Sequence, residues 1–256
     1  MKFIDLATQS ALQAGDLLLG YFGKIDSYKL KSPKSIVTEA DTRSEELIIG
    51  KIKSFYPGHG FIAEESGENI NDSEYIWIID PLDGTTNFAH AYPFFSISIA
   101  LRIDGVLELG VIYDPISKEL FSAEAGKGAF LNGKKIFVSK VDDLEHSHLV
   151  TGFVHEHEWM IEKNLKHHQN FIYKSQAVRR DGSAALDLCY VACGRFDGFW
   201  EMGLNPWDTA AGVLIVREAG GIVSDFSGVD FKLEFVELLA SNKILHGDMK
   251  AVLNQK

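Results

Sequence analysis

Tyr75-Ile76-Trp77-Ile78-Ile79-Asp80-Pro81-Leu82-Asp83-Gly84-Thr85-Thr86 sets an apolar run directly against two carboxylates three residues apart and a Gly-Thr-Thr turn. A short unbroken apolar run reads as a strand buried on both faces. Aspartates at its end are then held on a rigid frame, where loops carry function. Crowded carboxylates repel unless a cation sits between them. Pro81 stiffens the turn, and Gly84 permits close backbone approach. Two readings fit these residues equally: an Asx-turn that ends a strand, or half of a hard-metal site.

Working outward, Ile4, Ala7, Ala11, Ala14, Leu18 and Phe22 recur at helical spacing and predict a helix over about 3–22. A Lys-rich loop (Lys29, Lys31, Lys34) follows, and the spacing of Leu47, Ile48 and Ile52 predicts a helix over 42–53, which Asp41 could cap. Strands are expected at Ile76–Ile79, Phe95–Arg102, Leu107–Tyr113, Phe121–Glu124 and Ala129–Leu131, with Asn132-Gly133 as a turn signal. This first half reads as α+β, an antiparallel sheet with helices on one face. The second half alternates as α/β: a strand at Leu149–Phe153, a polar helix over His157–His168, and a helix from Ser183 to Cys193. A strand at Phe196–Trp200, a helix over Thr209–Ala219 capped by Asp208, and a strand at Gly221–Ser224 complete it. The polar stretch Val138–His146 marks the expected seam, giving units 1–140 and 141–256.

Composition narrows the function classes. Hydrophobic content of 46% and charged content of 24% are those of a soluble globular protein. A net charge of −11 argues against a general nucleic-acid or membrane surface, both of which need clustered cations. Two cysteines build no disulfide framework and suit a reducing cytoplasm. Asp5 and Asp16 interrupt the N-terminal apolar stretch, so it does not read as a signal peptide. No apolar run approaches the roughly 20 residues of a spanning helix.

Further acids repeat the opening pattern. Glu64 and Glu65 end the apolar run Phe61-Ile62-Ala63, and Asp208 follows Asn205-Pro206-Trp207 ahead of a helix. A solvated turn explains the first pair and an N-cap explains the second site, each taken singly. Several carboxylates at the ends of apolar runs together point to an oxygen-ligand site for Mg²⁺. The Cys/His pattern is poor for zinc: Cys189 and Cys193 read as small core residues, and His155, His157, His167 and His168 as surface residues. Gly126-Lys127-Gly128 lacks P-loop spacing, and Gly182-Ser183-Ala184 is not a nucleophile elbow. The latter reads instead as a helix N-terminus open to anions or hydroxyl oxygens.

Taken together these segments resemble the inositol monophosphatase family of magnesium-dependent sugar phosphatases. The resemblance rests on Ile62-Ala63-Glu64-Glu65-Ser66, on Trp77 through Phe88, and on Pro206-Trp207-Asp208-Thr209-Ala210-Ala211-Gly212 followed by Glu218-Ala219-Gly220-Gly221. Arg179 through Leu188, Gly194 through Glu201 and Leu239-Ala240-Ser241-Asn242 extend it over nearly the whole chain and resemble the bacterial branch. It implies the layered αβαβα sandwich of the sugar-phosphatase superfamily, usually as a homodimer. It implies two or three Mg²⁺ ions held by Glu64, Asp80, the Leu82 carbonyl, Asp83 and Asp208. It further implies phosphate on the Gly84 and Thr85 amides, water oriented by Thr85 and Asp41, and Gly182, Ser183, Ala184 and Glu201 facing the alcohol. One departure is Leu30, between Lys29 and Lys31, where the family often has a lysine.

The expected reaction is hydrolysis of a phosphate monoester by in-line attack of metal-activated water, with inositol 1-phosphate as first choice. Fructose 1,6-bisphosphate, histidinol phosphate and 3′-phosphoadenosine nucleotides are the alternatives within the superfamily. Arg179, Arg180 and Arg195 could serve a second phosphate or be plain surface charge. A reading of another class is an interaction protein of RNA metabolism with residual phosphatase activity.

Overall fold

A computed structural model describes residues 1–24, 29–32, 35–70, 72–154 and 157–255, with backbone alone at 29–32 and 35–36. Lys34 and His155, and the side chains of Lys29, Leu30 and Lys31, lie outside the described residues. The chain runs through α1 (Phe3–Tyr21), the hairpin β1 (Lys29–Ser32) and β2 (Ser35–Val37), α2 (Glu39–Phe55), β3 (Gly60–Ala63) and β4 (Gly67–Asn69). Next come β5 (Tyr75–Asp83), the short α3 (Thr85–Ala89), β6 (Ser96–Ile103), β7 (Val106–Asp114), β8 (Glu119–Glu124), β9 (Gly128–Leu131) and β10 (Lys134–Lys135). The remainder is β11 (His148–Thr151), α4 (Glu158–Ile172), β12 (Ala177–Arg179), α5 (Ala184–Ala192), β13 (Gly198–Met202), α6 (Pro206–Glu218), β14 (Ile222–Ser224), β15 (Glu237–Ser241) and α7 (His246–Leu253).

Strands β3 to β10 form an eight-stranded sheet in the order β10-β9-β8-β7-β6-β5-β3-β4. Strands β11 to β15 form a five-stranded sheet in the order β12-β11-β13-β15-β14. The period of two along β5 sends Trp77 and Ile79 into a core shared with α1 and α2, and Ile76 and Ile78 into one shared with α5 and α6. A third core, with Met160, Phe171, Trp200, Leu239 and Met249, joins α4 and α7 to the outer face of the second sheet. The layers are therefore α1/α2, sheet, α5/α6, sheet, α4/α7: an αβαβα sandwich. Trp77 is fully buried, and truncating such a residue to alanine costs about 3–5 kcal/mol.

Helices cover both faces of the large sheet, against the expectation of one. The covering helix α6 comes from the second half of the chain, and Gly110 lets it approach. A Cβ there would stand 2.7 Å from the Ala211 carbonyl oxygen. Two caps also differ from expectation, for one reason. Thr38 caps α2 and Asn205 caps α6, while Asp41 and Asp208 occupy the third helical position as the return half of a capping box. An acid there still satisfies a backbone donor, but its side chain is aimed back across the helix start. His167 is not on the surface. It is 4% exposed, edge-on to Phe226, and burial pulls its pKa down to about 4. Cys189 is buried in the central core and Cys193 is half-buried against it.

Candidate active site

Strand β5 does not stop before the acids; it continues through Asp83 with a register irregularity. Asp80 pairs with Ser98 and Asp83 with Ser96, so two residues on β5 oppose one on β6. Pro81 cannot donate to a ladder, and a β-bulge accommodates it. In a regular strand residues three apart face opposite sides; the extra residue returns Asp80 and Asp83 to one side. Leu82 N–H donates to Asp80 Oδ1 at 3.0 Å, an Asx-type contact inside the bulge. The turn reading and the paired-carboxylate arrangement thus coexist.

Register also decides what stands beside this pair. β3 runs parallel to β5 with Ala63 opposite Ile79, so Glu64 emerges next to Asp80, and Glu64 N–H donates to Ile79 O at 3.2 Å. Asp208 arrives from α6, where its Oδ2 accepts the Asn205 N–H at 2.7 Å. Asp83 reaches across to α5: its Oδ2 accepts the Ser183 hydroxyl and the Ala185 N–H, the latter at 2.9 Å. Asn87 completes that seam by donating to the carbonyls of Phe94 at 2.8 Å and Asp181 at 2.9 Å. The part Asn87 plays in joining the two halves is not legible in the sequence, because Asp181 lies 94 residues away.

The electrostatics follow from the crowding. Burial first, then repulsion from Glu64, Asp83 and Asp208, pushes the Asp80 carboxyl well up. Burial pushes Asp83 up to about 6, against the pull of its Ser183 and Ala185 hydrogen bonds. Asp208 is pushed well up by burial of its carboxyl and then by Asp83. Among the described residues no group of three or more His, Cys, Asp or Glu side chains stands close enough to hold an ion as placed. The donor set nevertheless fits a hard cation. It is all oxygen, Asp80 and Asp83 are buried, and the Asp80, Asp83 and Asp208 carboxyls each accept a local N–H.

Beside the acids lies a second constellation. Thr85 Oγ1 stands 3.0 Å from both Asp41 Oδ1 and the Leu82 carbonyl oxygen. Asp41 is fully buried, and its Oδ2 accepts the Thr38 N–H at 2.8 Å and the Thr38 hydroxyl at 2.5 Å. Burial raises its pKa, and the Thr38 and Thr85 bonds oppose that rise. Gly84 caps α3 with φ of +91°, and a Cβ there would lie 3.1 Å from the Phe94 carbonyl oxygen. Both conformation and space demand glycine at that position.

A cleft of about 160 Å³ opens at the seam between the layers, lined by Asp83, Gly182, Ser183, Ala184, Glu201 and Asp208, with Arg180, Asp187, Gly152, Phe153 and Leu204. Asp41, Glu64, Asp80, Leu82, Gly84 and Thr85 do not line it. Burial, then repulsion from Asp208, pushes Glu201 up to about 8. A Cβ at Gly152 would overlap the Glu201 carboxylate, so any larger residue there would displace that side chain. Thr151, Asn164 and Trp200 form a buried hydrogen-bonded set around this strand end, with Asn164 donating to the Gly152 carbonyl at 2.6 Å. Of the three arginines singled out in the sequence, Arg180 lines the cleft. Arg195 is committed elsewhere, forking onto both Glu119 oxygens at 2.6 and 2.5 Å and covering the Tyr190 ring.

Known proteins resemble the chain over nearly its whole length. The sequence model of the Inositol monophosphatase family matches residues 1–256. The chain is 44% identical over 253 residues to an inositol-1-monophosphatase of Synechocystis, covering 98% of this chain and 88% of that protein. It is 44% identical over 255 residues to Nus factor SuhB of Pasteurella multocida, covering 98% and 94%. The solved structure of extragenic suppressor protein SuhB from Bartonella henselae matches with a TM-score of 0.94 at 41% identity, covering 98% of each chain. With its whole length matched, its layers in the family order and its acids gathered at one seam, the chain belongs to the inositol monophosphatase family.

Proposed function

We propose that the protein hydrolyses a phosphate monoester of a small polyol, inositol 1-phosphate first among candidates, in a Mg²⁺-dependent reaction. The observation that carries this reading is the crowding of buried Asp80 and Asp83 with half-buried Asp208, whose mutual repulsion calls for cations. Residues 1–140 would supply Glu64, Asp80, the Leu82 carbonyl and Asp83 to two or three ions, and residues 141–256 would supply Asp208. When bound, Mg²⁺ supplies charge that lowers the pKa of water and offsets charge on the leaving oxygen. Thr85 takes a hydrogen bond from the attacking water and gives its own hydrogen to Asp41, whose other oxygen Thr38 holds. Glu64 holds the same region from the β3 side. The Gly84 and Thr85 amides face the phosphate. Gly182, Ser183 and Ala184 shape the alcohol side of the cleft, and Glu201 binds a ring hydroxyl. A cytoplasmic homodimer is the assembly this reading carries; no helix among the described residues is long and apolar enough to cross a membrane.

Phosphate release should be measured against Mg²⁺ concentration for inositol 1-phosphate, fructose 1,6-bisphosphate, histidinol phosphate and 3′-phosphoadenosine nucleotides. Inositol 1-phosphate is expected to lead. Asp83→Asn should lower kcat/KM at least about 100-fold, because several kcal/mol of charge stabilisation depend on that carboxylate. Near-full Mg²⁺-dependent turnover by folded Asp83→Asn would refute the assignment. Relatives named Nus factor, such as that of Pasteurella multocida, favour a second reading as a binding partner in RNA metabolism with residual phosphatase activity. A stoichiometric protein partner together with negligible turnover on every ester would select it.

A further inference from the structure

Helix α2 turns one face toward three segments of the first half of the chain: the 64–66 turn, the β5 bulge and the start of α3. Asp41, Ser44 and Glu45 sit at i, i+3 and i+4, the spacing that puts side chains on one helical face. Asp41 takes Thr85, and Ser44 Oγ donates to the Pro81 carbonyl at 2.8 Å, inside the β5 bulge. Glu45 takes the third segment. Its Oε2 accepts the Glu65 N–H and its Oε1 accepts the Ser66 N–H, each at 2.9 Å. The side chain is 4% exposed, so this carboxylate is buried on two backbone donors and both of its oxygens are engaged. A buried carboxylate is tolerated only with such partners, and charge-assisted bonds of this kind are the strong ones.

Glu64 is the residue between two anchors. On its N-terminal side the sheet holds it, through Glu64 N–H on Ile79 O. On its C-terminal side the next two amides are locked by Glu45. We propose that Glu45 is a positioning residue that fixes the Glu64 carboxylate through the backbone of the 64–66 turn and so sets the site's affinity for divalent cations. The inference rests on the reading of Glu64 as a metal ligand. Without the fork, the turn between β3 and β4 regains conformational freedom, and Glu64 is no longer delivered in one place. More of the cost of ordering the turn is then met on binding the ion, which lowers affinity. Partners one shell out from a metal typically matter about 10- to 100-fold in affinity.

The test uses full-length protein and Mn²⁺ as the probe, with binding followed by electron paramagnetic resonance, and amide exchange at residues 64–67 followed by mass spectrometry. Glu45→Ala removes both acceptors. Glu45→Gln keeps the shape but turns an NH₂ donor toward one of the N–H groups, and serves if the alanine variant fails to fold. Glu46→Gln, on the exposed face of the same helix where Glu46 pairs with Arg43, is the control. The expected result is a rise of about 10- to 100-fold in the Mn²⁺ dissociation constant for Glu45→Ala, a smaller rise for Glu45→Gln, and none for Glu46→Gln. Exchange at Glu65 and Ser66 should accelerate in step, while kcat at saturating Mg²⁺ stays within about threefold, since Glu45 touches neither ion nor substrate in this account. Folded Glu45 variants that bind Mn²⁺ as tightly as an active wild type would overturn this inference alone. A wild type with no Mg²⁺-dependent turnover would overturn the hydrolase reading, and this inference with it.

Discussion

Glu201→Gln isolates the electrostatic cost built into the cleft. Glu201 is 6% exposed, and burial with repulsion from Asp208 moves it from an ordinary 4.5 up to about 8. The folded protein therefore keeps a proton that the unfolded chain gives up at lower pH. The sign follows from linkage: a carboxyl raised on folding leaves stability whole below about pH 4.5 and erodes it as pH climbs toward 8. At 1.36 kcal/mol per tenfold, the full window corresponds to about 5 kcal/mol, of which about 4 kcal/mol falls between pH 5 and 8.5. Glutamine keeps the shape of the protonated acid and does not titrate. Urea unfolding in EDTA at those two pH values is the assay. Wild type should lose about 4 kcal/mol more than the variant across the interval. Asp83, raised to about 6, titrates in both proteins, and Glu201→Gln also removes the repulsion between these two carboxyls. Equal losses in the two proteins would refute the idea that Glu201 is held neutral by its surroundings.

Thr85→Val keeps the volume and removes the hydroxyl between Asp41 and the Leu82 carbonyl. Its kcat should fall roughly 10²- to 10⁴-fold, the usual worth of a positioned proton acceptor, with Mn²⁺ affinity unchanged in a direct titration. Gly152→Ala forces a methyl into the Glu201 carboxylate. It should destabilise by about 1–3 kcal/mol in urea melts and lower kcat/KM for inositol 1-phosphate more than for an aryl phosphate that lacks ring hydroxyls. An unchanged ratio between the two esters would remove Glu201 from hydroxyl recognition.

Much of the frame is legible in the residues. The apolar run Ile76–Ile79 announces a strand buried on both faces, and the spacing of Ala7, Ala11, Ala14 and Leu18 announces α1, because an unbroken run and a helical period are both patterns that burial imposes. Ser183 is readable as a cap for α5 for the same local reason. Less legible are the caps of α2 and α6, where an acid at the third position and a Thr or Asn at the cap compete for one role. His167 defeats sequence reading because its neighbours are polar, while the helix face it occupies turns toward Phe226.

The sequence by itself determines that acids end several apolar runs, and that these runs are strands and helix starts. It cannot determine that the acids meet. That is settled by a bulge that returns Asp80 and Asp83 to one side, and by a parallel register that brings Glu64 beside Asp80. It is settled further by α6, which crosses from the second half of the chain with Asp208, and by α5, whose first turn is held on Asp83. Carboxylates so placed repel, so no local preference of the chain would gather them. The packing of two sheets around a shared helical layer does so, because the burial of those apolar faces outweighs the charge it confines.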